Sequence, residues 1–292
     1  MPAHLVLPGG ARTAAEAGRT CALAAACERF LRERAAAYPE LFPERPFGSR
    51  LYSMLALANA FGSPDALGPE DLRALLRASI WVFALDFQVD YVAKSAEDVA
   101  RVTADCQAVA AGGDPATPLT RLLAEIRDEI PAIRRDGWRD LLSRTLEAMA
   151  TEWAWRPSRR EGAPPTVAEY LANSASATSS FVNLTHWLAT GHPRVLAHLE
   201  EAMAASDAVQ RVLRLVNDLA GEDRDHDWDD VNVLTLGIDR AEVIRLIGLL
   251  LAESGQVIEP LRTRCPEAAD YLERQIGFSV GFYGTSDYWG DL

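Results

Sequence analysis

Residues 69–95 of the chain read PEDLRALLRASIWVFALDFQVDYVAKS. Pro69 opens the run, and apolar side chains then recur every three or four residues, the spacing of an amphipathic α-helix. Asp86 and Asp90 interrupt this pattern one turn apart and share a helix face. An ionised carboxylate at the edge of an apolar wall is costly unless a positive charge lies nearby. The stretch therefore predicts either a salt bridge to an arginine of a neighbouring helix or a cation site.

The same helical spacing continues in both directions from this stretch, and alternating strand patterns are absent. We predict an all-α fold, a bundle of about ten helices around an apolar pocket. Residues 1–292 are expected to form one domain, with residues 1–13 as a flexible N-terminus. The predicted helices cover residues 14–38, 47–62, 69–93, 96–111, 117–129, 136–155, 166–190, 193–203, 206–224, 239–255 and 259–283.

The composition restricts the class of protein. A chain of 292 residues with 49% hydrophobic residues can bury a sizeable core, and a net charge of -13 argues against nucleic-acid binding. That charge suits a protein that concentrates divalent cations, although it also fits a solvated acidic surface. We find no signal peptide and no apolar run near the ~18 residues of a membrane span. The four cysteines lack metal-site spacing, so we expect a cytoplasmic protein.

A second acidic stretch, NDLAGEDRD, occupies residues 217–225. Asn217, Gly221 and Asp225 step by four residues and lie along one helical stripe. The amide and carboxylate oxygens are ligands that Mg²⁺ prefers, and Gly221 makes room beside them. Arg224 could hold an anion that the metal also binds. A solvated acidic helix end is the alternative interpretation of this segment.

The two acidic stretches together are more informative than either alone. If their helices face each other across a bundle, they can bind several Mg²⁺ ions around a diphosphate. The metals would neutralise the charge of a departing diphosphate, while the apolar pocket below would exclude water. A non-catalytic helical protein that binds a metal or another ligand remains the alternative from a different class.

At these residues the sequence resembles the class I terpene synthases, which ionise prenyl diphosphates. DFQVD at residues 86–90 is similar to the family's aspartate-rich motif, and residues 217–225 are similar to its second metal motif. The resemblance implies a cytoplasmic lyase that binds up to three Mg²⁺ ions, for which Mn²⁺ can substitute. The metal residues that it implies are Asp86, Asp90, Asn217, Gly221 and Asp225. Arg224 joins Asp86, Asp90, Asn217 and Asp225 as an implied catalytic residue, because the family's matching basic residue contacts diphosphate.

Four positions depart from the family pattern. Phe87 replaces the second aspartate of the first motif. Gly221 stands where the family has Ser or Thr, and Asp225 stands where it has Glu. Asp287 with the following tyrosine falls where the family has an Arg-Tyr pair.

Residues 169–178 lack the arginine that senses diphosphate in the family. This absence, together with Gly221, is similar to the small bacterial class I diterpene synthases of the kaurene and biformene types. The resemblance implies a copalyl-type bicyclic substrate, supplied by a separate class II cyclase, and a labdane-related hydrocarbon product. It also implies that the chain can form a homodimer. A class I cyclase acting directly on geranylgeranyl or farnesyl diphosphate is the alternative within the family.

The residues expected to line the substrate pocket lie near the motifs or carry aromatic rings on other helices. Small hydroxyl residues in the segment 173–180 also predict a loosened or broken helix there. The expected lining residues are Phe83, Phe87, Phe61, Asn173, Ser174, Thr178, Trp187, Leu213, Phe282 and Tyr283.

The string DWDD at residues 227–230 has the form of the general-acid motif of class II diterpene cyclases. That chemistry needs a larger pair of helical domains, so we interpret the string as a loop that closes over the pocket or is solvated. A chain-elongating prenyltransferase would need two full aspartate-rich motifs, and a head-to-head prenyl synthase would need paired DxxxD motifs.

Overall fold

The computed structural model describes residues 9–156, 158, 162–175 and 178–289, and these residues form helices and turns without strands. This confirms the predicted all-α class, with more helices than expected because several predicted segments divide. The α-helices in the described residues are α1 (Gly9–Ala36), α2 (Ser49–Gly62), α3 (Arg73–Asp86), α4 (Ala96–Ala110), α5 (Pro118–Glu129), α6 (Arg135–Trp155), α7 (Val167–Ser174), α8 (Thr178–Thr190), α9 (Pro193–Ala197), α10 (Leu199–Ala220), α11 (Glu222–Asp227), α12 (Arg240–Arg264) and α13 (Pro266–Tyr283).

Local signals explain where several helices begin. Ser95, Thr117 and Thr166 each accept a hydrogen bond from a main-chain N–H in the first turn of α4, α5 and α7. Pro118 and Pro266 occupy first-turn positions of α5 and α13, where a missing N–H costs nothing. Short-range chemistry therefore sets these boundaries without help from the tertiary structure.

The helices pack so that α3 and α10 stand inside the bundle. Helix α3 contacts α2, α5 and α8, while α10 contacts α8, α12 and α13. Their apolar faces join three buried clusters, the largest of which includes Trp81, Trp138 and Phe181. In the described part of the chain, no helix is long and apolar enough to cross a membrane.

Several predicted boundaries are wrong. Helix α10 continues through residues 204–205, and α12 continues through residues 256–258 and past Pro260. Buried Ser254, Ile258 and Leu261 extend one packed face across that segment, and this packing outweighs the local cost of a proline. Residues 9–13 belong to α1 and do not form a flexible N-terminus, while residues 1–8 lie outside the described residues.

The predicted helix over residues 69–93 divides into three parts. A 3₁₀ turn (Pro69–Leu72) precedes α3, and a π-helical segment (Phe87–Val92) follows it. The π-helical segment ends at a main-chain hydrogen bond in which the Ala93 N–H donates to the carbonyl of Gln88, five residues earlier, at 2.9 Å. π-helical turns occur frequently at functional sites. Here the segment carries Asp90.

Candidate active site

A cavity lies between α2, α3, α8, α10 and α13, and α3 and α10 define its depth. Asp86 and Asn217 stand at one end of the cavity, which we call the mouth. Seven residues earlier on each helix, about 10 Å deeper, lie Ser79 and Gln210. The lining residues of these two helices are Ser79, Val82, Phe83 and Asp86 on α3 and Gln210, Leu213, Arg214 and Asn217 on α10.

Asp86 and Asp90 both line the mouth and form a hydrogen-bonded pair. In an α-helix the Lys94 N–H would donate to the Asp90 carbonyl, but here it donates to Asp98 Oδ2 at 3.0 Å. The Asp90 carbonyl instead accepts from Arg156 Nη1 at 2.7 Å, and Asp90 Oδ1 accepts from Arg156 Nη2 at 2.6 Å. The arginine from a neighbouring helix end that the sequence offered as one alternative is therefore present, and it contacts Asp90.

Burial and electrostatic repulsion raise the pKa values of the Asp86 and Asp90 carboxyls. Burial raises the pKa of Asp86 to about 6, with a further contribution from the charge of Asp230. Burial, followed by the charges of Asp230 and Asp86, raises the pKa of Asp90 well above its usual value, although Arg156 opposes the shift. The mouth thus holds more negative charge than its arginines compensate.

The second acidic stretch reaches the same mouth from α10 and α11. Asn217 hydrogen-bonds the Tyr283 hydroxyl. Asp225 is 5% exposed and accepts from Arg224 Nη2 at 2.8 Å through one oxygen and from Asn232 Nδ2 at 2.8 Å through the other. The structure therefore brings together Asp86, Asp90, Asn217, Arg224 and Asp225, which all line one cavity.

Gly221 lies outside the cavity lining and contributes no side-chain ligand. Its N–H donates to the Asn217 carbonyl, and its carbonyl accepts from Asp225 N–H, both at 2.8 Å, so its polar groups are used in the helices. A Cβ at Gly221 would lie 2.9 Å from Arg224 Cζ. The glycine thus makes room for the guanidinium, and the structure does not support Gly221 as a metal ligand.

Four charged residues of the cavity lining were not among the predicted site residues: Glu152, Arg214, Asp230 and Asp287. Arg214 Nη1 donates to Glu152 Oε2 at 2.9 Å, and Arg214 Nη2 donates to the Val231 carbonyl at 2.9 Å. Arg214 lies one turn before Asn217, so helical spacing could have indicated it. Asp230 belongs to the DWDD string, for which the sequence predicted a loop that closes over the pocket or is solvated, without naming Asp230 as a site residue.

Four of the expected pocket residues line the cavity: Phe83, Thr178, Leu213 and Tyr283. Three aromatic residues expected there instead pack behind the lining. Phe61 packs against Phe278 and Phe282 stacks on the same ring, with centroids 5.8 and 5.7 Å away. Trp187 belongs to the buried cluster between α8, α10, α12 and α13. Helical spacing placed these rings inside the bundle but could not tell core from cavity.

The remaining three expectations also need correction. Phe87 is buried and packs on Phe47 and Tyr91. Asn173 donates to the Ala148 carbonyl at 3.0 Å and so braces α7 against α6. The Ser174 hydroxyl, fully buried, donates to the Leu171 carbonyl. Helix α7 ends at Ser174 and α8 begins at Thr178, as the predicted break required, and residues 176–177 lie outside the described residues.

The deep part of the cavity is more polar than the predicted apolar pocket. Ser79 Oγ donates to Asn59 Oδ1 at 3.2 Å, and both residues line the floor. Gln210 accepts from Ser179 N–H at 3.1 Å through its amide oxygen. Among the described residues, the Gln210 amide nitrogen donates no hydrogen bond. The floor therefore presents amide and hydroxyl groups as well as apolar surface.

The donor set of the mouth fits magnesium. Carboxylate and amide oxygens are the hard ligands that Mg²⁺ selects, and the excess negative charge favours bound cations. Within the described ranges, no three acidic, histidine or cysteine side chains converge into a ready-made metal cage. Mg²⁺ is usually held by one or two carboxylates together with waters and substrate phosphates, so a closed cage is not required.

Comparisons with known proteins agree with this geometry. Residues 77–238, more than half of the chain, match the model of terpene synthase family 2, C-terminal metal binding. The chain is 25% identical to ent-pimara-9(11),15-diene synthase of Streptomyces sp. (strain KO-3988), over 89% of this chain and 90% of that one. The chain thus belongs to the terpene synthases, lyases that act on prenyl diphosphates.

Solved structures show the same fold. The 2-methylisoborneol synthase of Streptomyces coelicolor A3(2), in complex with Mg²⁺ and 2-fluoroneryl diphosphate, is 14% identical with a TM-score of 0.68, covering 92% of this chain and 91% of that one. The linalool/nerolidol synthase of Streptomyces clavuligerus, in complex with 2-fluorogeranyl diphosphate, is 17% identical with a TM-score of 0.71, covering 90% and 94%. The described helices therefore have the class I terpene synthase fold.

Proposed function

We propose that the protein is a Mg²⁺-dependent class I diterpene synthase that ionises a copalyl-type bicyclic labdane diphosphate. It releases diphosphate and a proton and forms a labdane-related hydrocarbon, for which a biformene is the expected example. The observation that carries the proposal is the meeting of Asp86, Asn217 and Asp225 at one mouth, beside Arg224. A relative named for making a pimaradiene, a C20 hydrocarbon, supports a diterpene product.

Different residues at the mouth are assigned to bind the metal and the diphosphate anion. We assign Asp86, Asn217 and Asp225 to hold Mg²⁺, up to three ions, with Asp90 supporting them and Mn²⁺ able to substitute. Arg224 is assigned to the diphosphate, because its guanidinium supplies forked donors for phosphate oxygens. When bound, Mg²⁺ supplies charge neutralisation for the departing diphosphate.

The chain itself would shelter and stabilise the carbocation. Phe83, Tyr283 and Tyr288 all line the cavity near the mouth. The rings of Phe83 and Tyr288 have centroids 5.3 Å apart, and those of Tyr283 and Tyr288 are 5.7 Å apart. Aromatic faces attract a cation, and a closed aromatic rim excludes water from the pocket. This arrangement supports a hydrocarbon product formed by proton loss.

The cellular setting is part of the proposal. A copalyl-type diphosphate would come from a separate class II cyclase. We also propose that the chain forms one terpene synthase domain and can assemble as a homodimer. The four cysteines form no disulfide in the structure, which fits a cytoplasmic location.

The test is a parallel incubation of the purified protein with Mg²⁺ and copalyl, geranylgeranyl or farnesyl diphosphate. Hydrocarbons are read by gas chromatography with mass spectrometry, and diphosphate release is measured separately. We expect a diterpene from copalyl diphosphate, lost in Asp86→Ala and retained in Asp105→Ala, a variant on the outer helix α4. Products from the linear substrates alone would move the substrate assignment. Absence of Mg²⁺-dependent diphosphate release from all three would overturn the proposal.

A further inference from the structure

The DWDD string ends in a residue that the proposed function has not used. Asp230 lines the cavity, whereas Asp227 is exposed and Asp229 accepts from the Ser158 N–H at 3.2 Å. The three acids of one short string therefore face different surroundings. Only Asp230 reaches the mouth.

The backbone aims Asp230 inward. Asp229 has φ 56, a left-handed conformation that turns the chain, and Asp230 N–H then donates to the Asp225 carbonyl at 2.7 Å. Asp230 Oδ1 accepts from Val231 N–H at 2.8 Å. Its second oxygen accepts no hydrogen bond from the part of the chain that the structure describes. This leaves a carboxylate oxygen available on the cavity side.

The surroundings of Asp230 are the acids of the mouth. Asp230 lines the same cavity as Asp86, Asp90 and Asp225. Arg156 Nε lies 3.7 Å from Asp230 Oδ1, which is too long for a hydrogen bond. Among the described residues, that buried Nε has no hydrogen-bond partner, and the Arg156 side chain is only 2% exposed. Arg156 is thus aimed at Asp230 as well as bound to Asp90.

The first motif carries no acid at position 87. The family's first motif carries an aspartate where this chain has Phe87, and the Phe87 ring is 7% exposed and packed on Phe47 and Tyr91. Position 87 therefore presents no acid to the cavity. A carboxylate from the loop after α11 reaches the same mouth from the opposite side.

We propose that Asp230 supplies a metal-facing carboxylate that replaces the acid absent at position 87, so that Asp86, Asp90, Asp225 and Asp230 together hold the Mg²⁺–diphosphate complex. Arg156 positions this set by holding Asp90 and facing Asp230. The inference rests on the proposed function. It adds a residue to the metal site of the family and assigns a role to the DWDD string that is unrelated to class II chemistry.

The experiment measures binding without turnover. Isothermal titration calorimetry with Mg²⁺ and inorganic diphosphate, and electron paramagnetic resonance with Mn²⁺, give the affinity of wild type, Asp230→Asn, Asp230→Glu and the matched control Asp227→Asn. We expect Asp230→Asn to weaken metal–diphosphate binding by about tenfold or more. Asp230→Glu should recover part of the affinity, because it keeps the carboxylate. Asp227→Asn should bind as wild type does.

The possible outcomes distinguish a failure of this inference from a failure of the proposed function. Wild-type affinity in Asp230→Asn, with Mg²⁺-dependent turnover intact, would overturn the role of Asp230 and leave the proposed function standing. A lower melting temperature in Asp230→Asn with unchanged metal affinity would make Asp230 a purely structural partner of Arg156 and would also overturn it. If Asp230→Asn does not fold, Asp230→Glu decides, since only a metal role predicts altered Mn²⁺ spectra in a folded variant. A wild type without Mg²⁺-dependent diphosphate release would instead refute the proposed function.

Discussion

The guanidinium of Arg224 occupies the space that a side chain at position 221 would take. A Cβ there would lie 2.9 Å from Arg224 Cζ and would push the guanidinium from its place beside Asp225. The glycine in the second motif is therefore tied to the position of its arginine.

Gly221→Ser should consequently weaken diphosphate binding. The added side chain displaces Arg224, and we expect the affinity for Mg²⁺–diphosphate to fall about tenfold, the equivalent of one charge-assisted hydrogen bond. Calorimetry checks this result. Gly277→Ser is the control, since a Cβ at Gly277 meets nothing within 4 Å. Equal affinities in the two variants would contradict the coupling.

Arg156→Gln should destabilise the metal-free protein strongly. The buried guanidinium compensates Asp90, and removing one partner of a buried pair costs about 3–5 kcal/mol. Urea unfolding measures the change in the free energy of unfolding. Arg156→Lys should lose less, because it keeps the charge. Adding Mg²⁺ and diphosphate should recover part of the loss in both variants, and a loss unaffected by metal would argue against an electrostatic cause.

The metal-free protein should become less stable as the pH rises through the range of the Asp86 carboxyl. Its pKa is about 6 in the folded protein and 3.8 in the unfolded chain, so between these pH values the folded state binds more protons than the unfolded state. The contribution of Asp86 to the free energy of unfolding is therefore greatest below pH 3.8 and falls as the pH rises towards 6.

Asp86→Asn isolates that contribution from the other titrating groups. Relative to wild type in the presence of a chelator, the variant should gain stability from pH 4 to pH 7, as measured by urea unfolding at each pH. A constant difference between the two proteins across this range would contradict the assigned pKa direction.

We expect Asp287 to compete with diphosphate for Arg224. Arg224 Nη1 donates to Asp287, and the Trp289 N–H donates to the same carboxylate at 2.7 Å, so the tail is fastened across the mouth. Asp287→Asn should bind Mg²⁺–diphosphate several-fold more tightly, because Arg224 then no longer has to break its ion pair with Asp287 before it binds the ligand. Asp270→Asn, an exposed change on α13, is the control. Weaker binding in Asp287→Asn would instead make Asp287 part of the ligand set.

Gln210→Leu should change products without changing metal binding. Gln210 lies two turns below Asn217, about 10 Å from the mouth, and therefore faces the hydrocarbon part of a substrate. We expect an altered product ratio by gas chromatography and unchanged affinity for Mg²⁺–diphosphate. Leu213→Val, a purely apolar change on the same face, controls for altered volume. A product ratio identical to wild type would show that the floor amide does not influence the cation.

Local sequence determined the helical class and part of the mouth. The spacing of Asp86 and Asp90 and that of Asn217 and Asp225 place each pair near one helix face, because a helix repeats every 3.6 residues. Capping at Ser95 and Thr166 likewise depends on residues within one turn. These features need no knowledge of distant contacts.

Tertiary structure alone decided which groups meet. Glu152 reaches the mouth from α6 and Asp230 from the loop after α11, while Arg156 at the end of α6 contacts Asp90. No local period relates these residues to Asp86. Packing likewise sent the Phe61 and Trp187 rings behind the cavity wall, although their helical positions predicted a place inside the bundle. Periodicity fixes which side of a helix is buried, but the partner that covers each side depends on long-range packing of the whole bundle.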